Sequence, residues 1–89
     1  MPAAQSGSPG HRKRLRERFL RSSLEGFHDY EVVELLLTYA IGRRDVKPLA
    51  KALIAKFKGL KGIVEASPEE ILEVTGCGAR SALLFFLLR

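Results

Sequence analysis

The stretch that decides the fold lies near the carboxyl end of the chain and reads Val74-Thr75-Gly76-Cys77-Gly78-Ala79-Arg80-Ser81-Ala82. Two glycines flank one apolar residue, and segments of helical character lie on either side. Glycine lets the backbone adopt positive φ angles and lets another backbone approach closely. The small side chain of Ala82 lets two helices cross at short distance. The stretch therefore predicts two short helices joined by a tight turn.

The same turn has the features of an anion site. It ends where a helix begins, and the free N–H groups and the dipole of a helix N-terminus favour negative charge. Arg80 lies in the first turn of that helix, and Ser81 adds a hydroxyl. With Gly76 and Gly78 they predict a cradle for a phosphate diester that ignores base identity. The alternative is a structural hairpin, because Gly-X-Gly between short helices is also common as a plain turn.

Outward from this stretch, helical periodicity recurs along the chain, and no segment alternates polar and apolar residues as a strand does. The pattern predicts helices over residues 11–21, 30–39, 46–58, 60–66, 68–74 and from 79 onward. Asp29 and Asp45 are predicted N-caps. Ser67-Pro68-Glu69-Glu70 is a complete capping box. We predict an all-α domain of five to six short helices.

A weak internal repeat suggests how these helices are arranged. Residues 34–54 consist of a helix, a turn around Ala40-Ile41-Gly42 and a second helix, and residues 70–88 repeat this order around Gly76-Cys77-Gly78. The repeat predicts a tandem helix-hairpin-helix-like bundle. The first triplet lacks one glycine, which favours a structural role. The alternative is a phosphate contact from Arg43 or Arg44, which follow this triplet. A helix-turn-helix is disfavoured because residues 46–58 would expose only lysines and offer no Asn, Gln or Arg to read base edges.

The positive charge of the chain is concentrated near its amino end. The formal charge is +5, and residues 1–28 carry six basic side chains against two acidic ones. A localised basic stripe is what a polyanion-binding surface requires. We therefore predict a supporting phosphate-binding surface formed by Arg12, Lys13, Arg14, Arg16 and Arg18. The alternative is an ordinary solvated helix face.

Other features limit the class of protein. Cys77 is the single cysteine, so no intrachain disulfide is possible, which fits a cytoplasmic setting. Residues 1–9 are predicted to be a flexible tail before a domain of residues 10–89, and they lack the apolar core of a signal peptide. The apolar run of residues 82–88 is too short to span a bilayer. No membrane partner is predicted.

No catalytic or cofactor site is predicted. His11 and His28 are far apart in the sequence, and no cluster of Cys, His and carboxylate residues has metal-ligand spacing. No nucleophile–base pair is visible. Cys77 is interpreted as a small apolar side chain that packs the hairpin, since a redox role would need a partner or a lowered pKa. We expect a binding module without enzymatic activity.

The hairpin resembles the helix-hairpin-helix motif of DNA-repair and recombination proteins. In that family the Gly–apolar–Gly triplet binds backbone phosphate, and a basic or hydroxyl residue follows. The residues that match are Gly76, Gly78, Arg80 and Ser81. Cys77 stands where the family usually has Ile or Val, and Ala79 where Pro is common. The resemblance implies sequence-independent binding to DNA phosphates.

Further blocks resemble the N-terminal region of RadC-type DNA repair proteins. They are Gly10-His11-Arg12-Lys13-Arg14-Leu15-Arg16, Asp29-Tyr30-Glu31, Glu34-Leu35-Leu36-Leu37 and Asp45-Val46-Lys47-Pro48-Leu49-Ala50. In that family a metal-dependent JAB/MPN domain follows this region. Its motif of paired histidines and an aspartate is absent here, so we expect a C-terminally truncated fragment without that hydrolase chemistry. The resemblance implies the DNA-binding module of a RadC-like protein.

The last predicted helix favours a second function. Residues 83–88 are all apolar and cover every face of that helix. Apolar faces that the domain itself does not bury need another cover. We therefore expect either docking of a downstream domain or self-association through this helix. The alternative function is a protein-interaction or scaffold module.

Overall fold

A computed structural model describes residues 9–89. It contains six helices, which are α1 (Pro9–Ser22), α2 (Asp29–Leu37), α3 (Lys47–Phe57), α4 (Leu60–Glu65), α5 (Pro68–Leu72) and α6 (Ala79–Leu88). No strand occurs in this part of the chain, so the prediction of an all-α fold is confirmed. The predicted flexible tail lies outside the described residues, except that its last residue, Pro9, begins α1.

The start of α5 is the one that the sequence predicted in full. The hydroxyl oxygen of Ser67 accepts a hydrogen bond from the backbone N–H of Glu70 at 3.1 Å. The carboxylate of Glu70 in turn accepts one from the backbone N–H of Ser67 at 2.8 Å. This reciprocal capping box is confirmed, and it satisfies two N–H groups that a bare helix end would leave unpaired. The helix is shorter than predicted and ends at Leu72.

The structure differs from the sequence prediction at both aspartate N-caps. The N-cap of α3 is Val46, and Asp45 lies one position before it. The carboxylate of Asp45 accepts a hydrogen bond from the backbone N–H of Lys47 at 3.0 Å. At α2 the cap is His28, so Asp29 lies inside the first turn. A negative charge in the first turn still interacts favourably with the helix dipole. Both aspartates therefore stabilise a helix start, although neither is the N-cap.

The core forms where the five helices α2 to α6 meet. Its largest fully buried side chains are Leu37, Leu53, Ile63, Ile71 and Phe85. The central position predicted for α2 is confirmed, because this helix packs against α1, α3 and α4. Burying a side chain of this size contributes about 2 kcal/mol, so these few residues dominate the stability of a small domain.

Helix α1 lies on the outside of this core, as its charged sequence predicts. Within residues 10–22 of this helix, Leu15 is the one buried apolar side chain. In the connection after α1, Leu24 is 46% exposed. Phe27 is half-buried, and the Arg18 guanidinium lies 4.0 Å from the centre of its ring.

Helix α6 buries only one stripe of its surface. Ala82 and Phe85 face the core, whereas Leu83 and Leu87 are 57% and 72% exposed. The expectation that this helix keeps apolar surface uncovered within the domain is therefore confirmed. None of the helices in residues 9–89 combines the length and the apolar character needed to cross a bilayer.

Candidate nucleic-acid interface

The hairpin between α5 and α6 turns tightly at its first glycine. Gly76 has a φ angle of +100°, a conformation that L side chains rarely adopt. The backbone N–H of Cys77 donates to the carbonyl of Val74 at 3.0 Å and closes the turn. Gly78 has an ordinary φ of −114°, and no atom lies within 4 Å of where its Cβ would be. Gly76 is therefore needed by the turn, whereas Gly78 keeps the space in front of α6 open.

The N-terminus of α6 has the free N–H groups that the sequence predicted for it. Gly78 is the N-cap, and no side chain caps the helix, so its first N–H groups remain for an anion. The structure differs at Ser81, which lies on the buried stripe with Ala82 and Phe85. Its hydroxyl is enclosed and has no hydrogen-bond partner among the described residues. Any phosphate contact from Ser81 would have to come from its backbone N–H.

Arg80 lies on the exposed side of the same helix turn. It lines a shallow groove of about 320 Å³ together with Tyr39, Ala40 and Leu83. Its guanidinium has no ion-pair partner within residues 9–89. Arg80 therefore presents its full charge to solvent, next to the end of α2.

Arg44 connects the turn after α2 to the hairpin. Its Nη2 donates a hydrogen bond to the carbonyl of Gly76 at 2.8 Å. The two Gly-containing turns of the internal repeat thus lie side by side. Sequence reasoning considered Arg44 only as a possible phosphate contact and did not foresee this link. The neighbouring Arg43 is exposed.

Arg12 ties α1 to the same region. Its Nη1 donates to the carbonyl of Ile41 at 2.8 Å and to that of Thr38 at 3.3 Å, and its Nη2 donates to the carbonyl of Arg44 at 2.8 Å. These carbonyls engage the guanidinium inside the domain, and the role of Arg12 in phosphate binding stays a prediction. The hydrogen bonds of Arg12 and Arg44 bring the start of α1, the turn after α2 and the hairpin together.

The remaining basic residues of α1 divide into two groups. Arg18 forms a two-point ion pair with Glu31, with distances of 2.8 and 3.2 Å, so it too is engaged inside the domain. Its hydrogen bond raises the pKa of Arg18 and holds the pKa of Glu31 below its ordinary value. Lys13, Arg14 and Arg16 are exposed. Three of the five basic residues predicted to bind phosphate are therefore exposed, and the other two, Arg12 and Arg18, form hydrogen bonds inside the domain.

A buried acid explains why α1 is held in place. The Nε2 atom of His11 lies 2.7 Å from the carboxylate of Glu34, which is only 1% exposed. Sequence analysis did not foresee this contact. The signal was present, because Glu34 is a lone acid on the buried side of a helix that is otherwise apolar there.

Cys77 behaves as the apolar residue that the sequence predicted. Its side chain packs against the core cluster at half burial. Burial raises the pKa of the Cys77 thiol, and the nearby positive charge of Arg44 offsets this only in part. A thiol with a raised pKa is a poor nucleophile at neutral pH.

The family model and the two relatives that follow agree on one family. The UPF0758 N-terminal family matches residues 10–83. A UPF0758 protein of Fusobacterium nucleatum is 42% identical over 85 residues, which make up 96% of this chain and 37% of that protein. A UPF0758 protein of Ruegeria pomeroyi is 46% identical over 68 residues, which make up 76% of this chain and 30% of that protein. No solved structure is significantly similar to the chain. The chain spans about a third of the length of these relatives, and it belongs to the UPF0758 N-terminal family.

Proposed function

We propose that this domain binds the sugar–phosphate backbone of DNA without regard to base sequence, as the DNA-binding module of a RadC-like DNA repair protein. One observation carries the proposal. Three elements are held together by the hydrogen bonds from Arg12 to the Arg44 carbonyl and from Arg44 to the Gly76 carbonyl, and exposed cations and a free helix N-terminus lie on them. The elements are the start of α1, the turn after α2 and the helix-hairpin-helix-like turn before α6.

In the proposed complex the phosphate occupies the space in front of α6. Its oxygens accept hydrogen bonds from the first N–H groups of the helix, and Gly78 leaves room for the approach. Arg80 adds a charge from the same helix turn. Arg43 supplies further exposed charge from the turn after α2.

The proposed surface has no means of reading bases. Backbone N–H groups and flexible cations bind phosphate and fix position, but they carry no sequence information. Affinity would come from the release of counterions and would fall steeply with salt. The proposal gives the domain no catalytic role.

The test is fluorescence anisotropy of labelled duplex, single-stranded and branched DNA at several salt concentrations. Gly78→Ala is the sharpest variant, because the structure has room for the methyl group and only a bound phosphate would meet it. We expect Gly78→Ala to weaken binding about tenfold, and Arg80→Ala to weaken it about fivefold with a shallower salt dependence. Lys61→Ala is the matched control, since Lys61 is an exposed cation on α4, outside the proposed surface.

Thermal melts of each variant show whether the fold is retained. Absence of DNA binding at low salt would contradict the proposal. So would Gly78→Ala and Arg80→Ala proteins that are folded and bind as tightly as the parent. In either case the hairpin would be a structural turn.

A second candidate function is favoured by the uncovered surface of α6. Leu83, Phe86, Leu87 and Leu88 are each about half exposed or more. We infer that this face packs against a further domain of a chain as long as the relatives, or against a second copy of the domain. Sedimentation velocity over a range of concentrations tests self-association, which Leu87→Glu should abolish. A parent that stays monomeric throughout would remove self-association and leave domain docking.

A further inference from the structure

An apolar groove lies between α1 and α2, and its lining does not include Gly78 or Arg80. Its volume is about 420 Å³. Its apolar lining comes from α1, the connection and α2, and includes Phe19, Leu20, Leu24, Val32, Leu36 and Tyr39.

The groove lining is largely uncovered by the domain itself. Leu20 is 81% exposed and Tyr39 is 68% exposed, although α1 is otherwise a highly charged helix. Covering a leucine of this exposure contributes about 1.5 to 2 kcal/mol. Contiguous apolar surface of this kind marks an interaction site more often than scattered exposed residues do.

The charge around the groove indicates what kind of ligand it fits. Arg16 is the one charged residue in its lining. Lys13 precedes Arg16 by three positions, so it continues the same side of α1 toward the helix start. Both are exposed, and neither has an ion-pair partner within residues 9–89. A ligand that fills the groove would therefore gain from carrying acidic side chains beside its apolar ones.

The same charges argue against a second copy of this chain as the occupant. In a symmetric pair the same patch on each copy meets its counterpart, so the cations of one α1 would approach those of the other. Each chain also carries a formal charge of +5. Like charges brought together at an interface oppose association.

We propose that the α1–α2 groove binds an amphipathic helical segment of a partner protein, with its apolar side in the groove and acidic side chains against Arg16 and Lys13. An amphipathic helix laid in an apolar groove is a common mode of peptide recognition, with anchors spaced three and four residues apart. This site is distinct from the hairpin, so it stands or fails independently of DNA binding.

The test is an NMR titration of the isotope-labelled 89-residue chain with synthetic peptides. The probe is an amphipathic peptide of about four helical turns, with leucines along one face and glutamates beside them. Two matched probes carry lysine in place of glutamate, or serine in place of leucine. We expect the first probe to shift the amide signals of Leu20, Leu36 and Tyr39. Each of the two matched probes should bind at least about tenfold more weakly than the first probe.

Paired variants separate the groove from general apolar or charge effects. Leu20→Ser should weaken the first probe about tenfold, whereas Leu72→Ser, at an exposed leucine on α5 outside the groove, should not. Arg16→Glu should weaken it about tenfold, whereas Arg21→Glu, which changes the net charge equally on another side of α1, should have little effect.

Four results would overturn the proposal. They are no binding of the first probe, equal binding of the lysine probe, shifts confined to α6, and shifts of the groove signals by DNA but not by the first probe. Because Gly78 lies outside the groove, Gly78→Ala should leave peptide binding unchanged, and this variant distinguishes failure here from failure of the DNA proposal.

Discussion

Gly62 lies in the middle of α4, where an alanine would ordinarily be the better helix former. A Cβ atom at this position would lie 1.9 Å from the carbonyl oxygen of Phe57 and 2.9 Å from its carbonyl carbon. Nonbonded contacts of carbon are optimal near about 3.5 Å, so the two backbones would have to separate by more than about 1 Å. The obstacle is main chain at the end of α3, and it has no flexible side chain that can move aside.

The expected cost of Gly62→Ala follows from two opposing effects. Alanine in place of glycine favours a helix by about 1 kcal/mol. Overpacking costs about 1 to 3 kcal/mol and sometimes more, and here it also pulls on the adjacent Ile63, which is fully buried. We expect the overpacking to win and Gly62→Ala to lower the free energy of unfolding by about 2 kcal/mol, which corresponds to a fall in melting temperature of about 10 °C.

Urea unfolding followed by far-UV circular dichroism measures this difference. Gly42→Ala is the matched control, because a Cβ there meets no atom within 4 Å and its φ is not positive. The control should change the free energy of unfolding by less than about 0.5 kcal/mol. A Gly62→Ala protein as stable as the parent, or more stable, would refute the reasoning that the close approach of α3 and α4 requires glycine.

Three further predictions concern charged and titratable groups. Arg12→Ala should lower the free energy of unfolding by about 2 kcal/mol, because three backbone carbonyls lose their donor. The control Lys13→Ala should change the free energy of unfolding by under about 0.5 kcal/mol. Equal urea unfolding curves for the two variants would contradict the assigned role of Arg12. The Arg18 hydrogen bond lowers the pKa of Glu31 in the folded state. The pair therefore stabilises the domain above the ordinary glutamate range near about pH 4, and this contribution is lost as the pH falls through the lowered pKa. Glu31→Gln should be less stable at neutral pH and lose less stability in acid, and parallel losses in urea titrations would count against it. Cys77, with its raised pKa, should react with a maleimide more slowly than an unhindered cysteine at mildly alkaline pH, and an equal or faster rate would contradict its burial.

The sequence by itself determined the helices, because the signals that specify them act over three or four residues. The spacing of apolar residues predicted six helical segments, and each was found within a few residues of its predicted ends. The capping box at Ser67 and Glu70 was predicted to its individual hydrogen bonds. The apolar character of residues 83–88 likewise predicted uncovered surface on α6, since a helix of this kind has no polar face.

Only the tertiary structure decided what the polar residues do. A run of arginines in α1 has the same sequence pattern whether it faces DNA or the domain. The carbonyl acceptors of Arg12 lie 26 to 32 residues away along the chain, and the acceptor of Arg44 lies 32 residues away. The burial of Ser81 depends in the same way on which stripe of α6 meets the core. Such roles depend on distances between segments that are remote in sequence, and packing sets those distances, whereas local propensity does not.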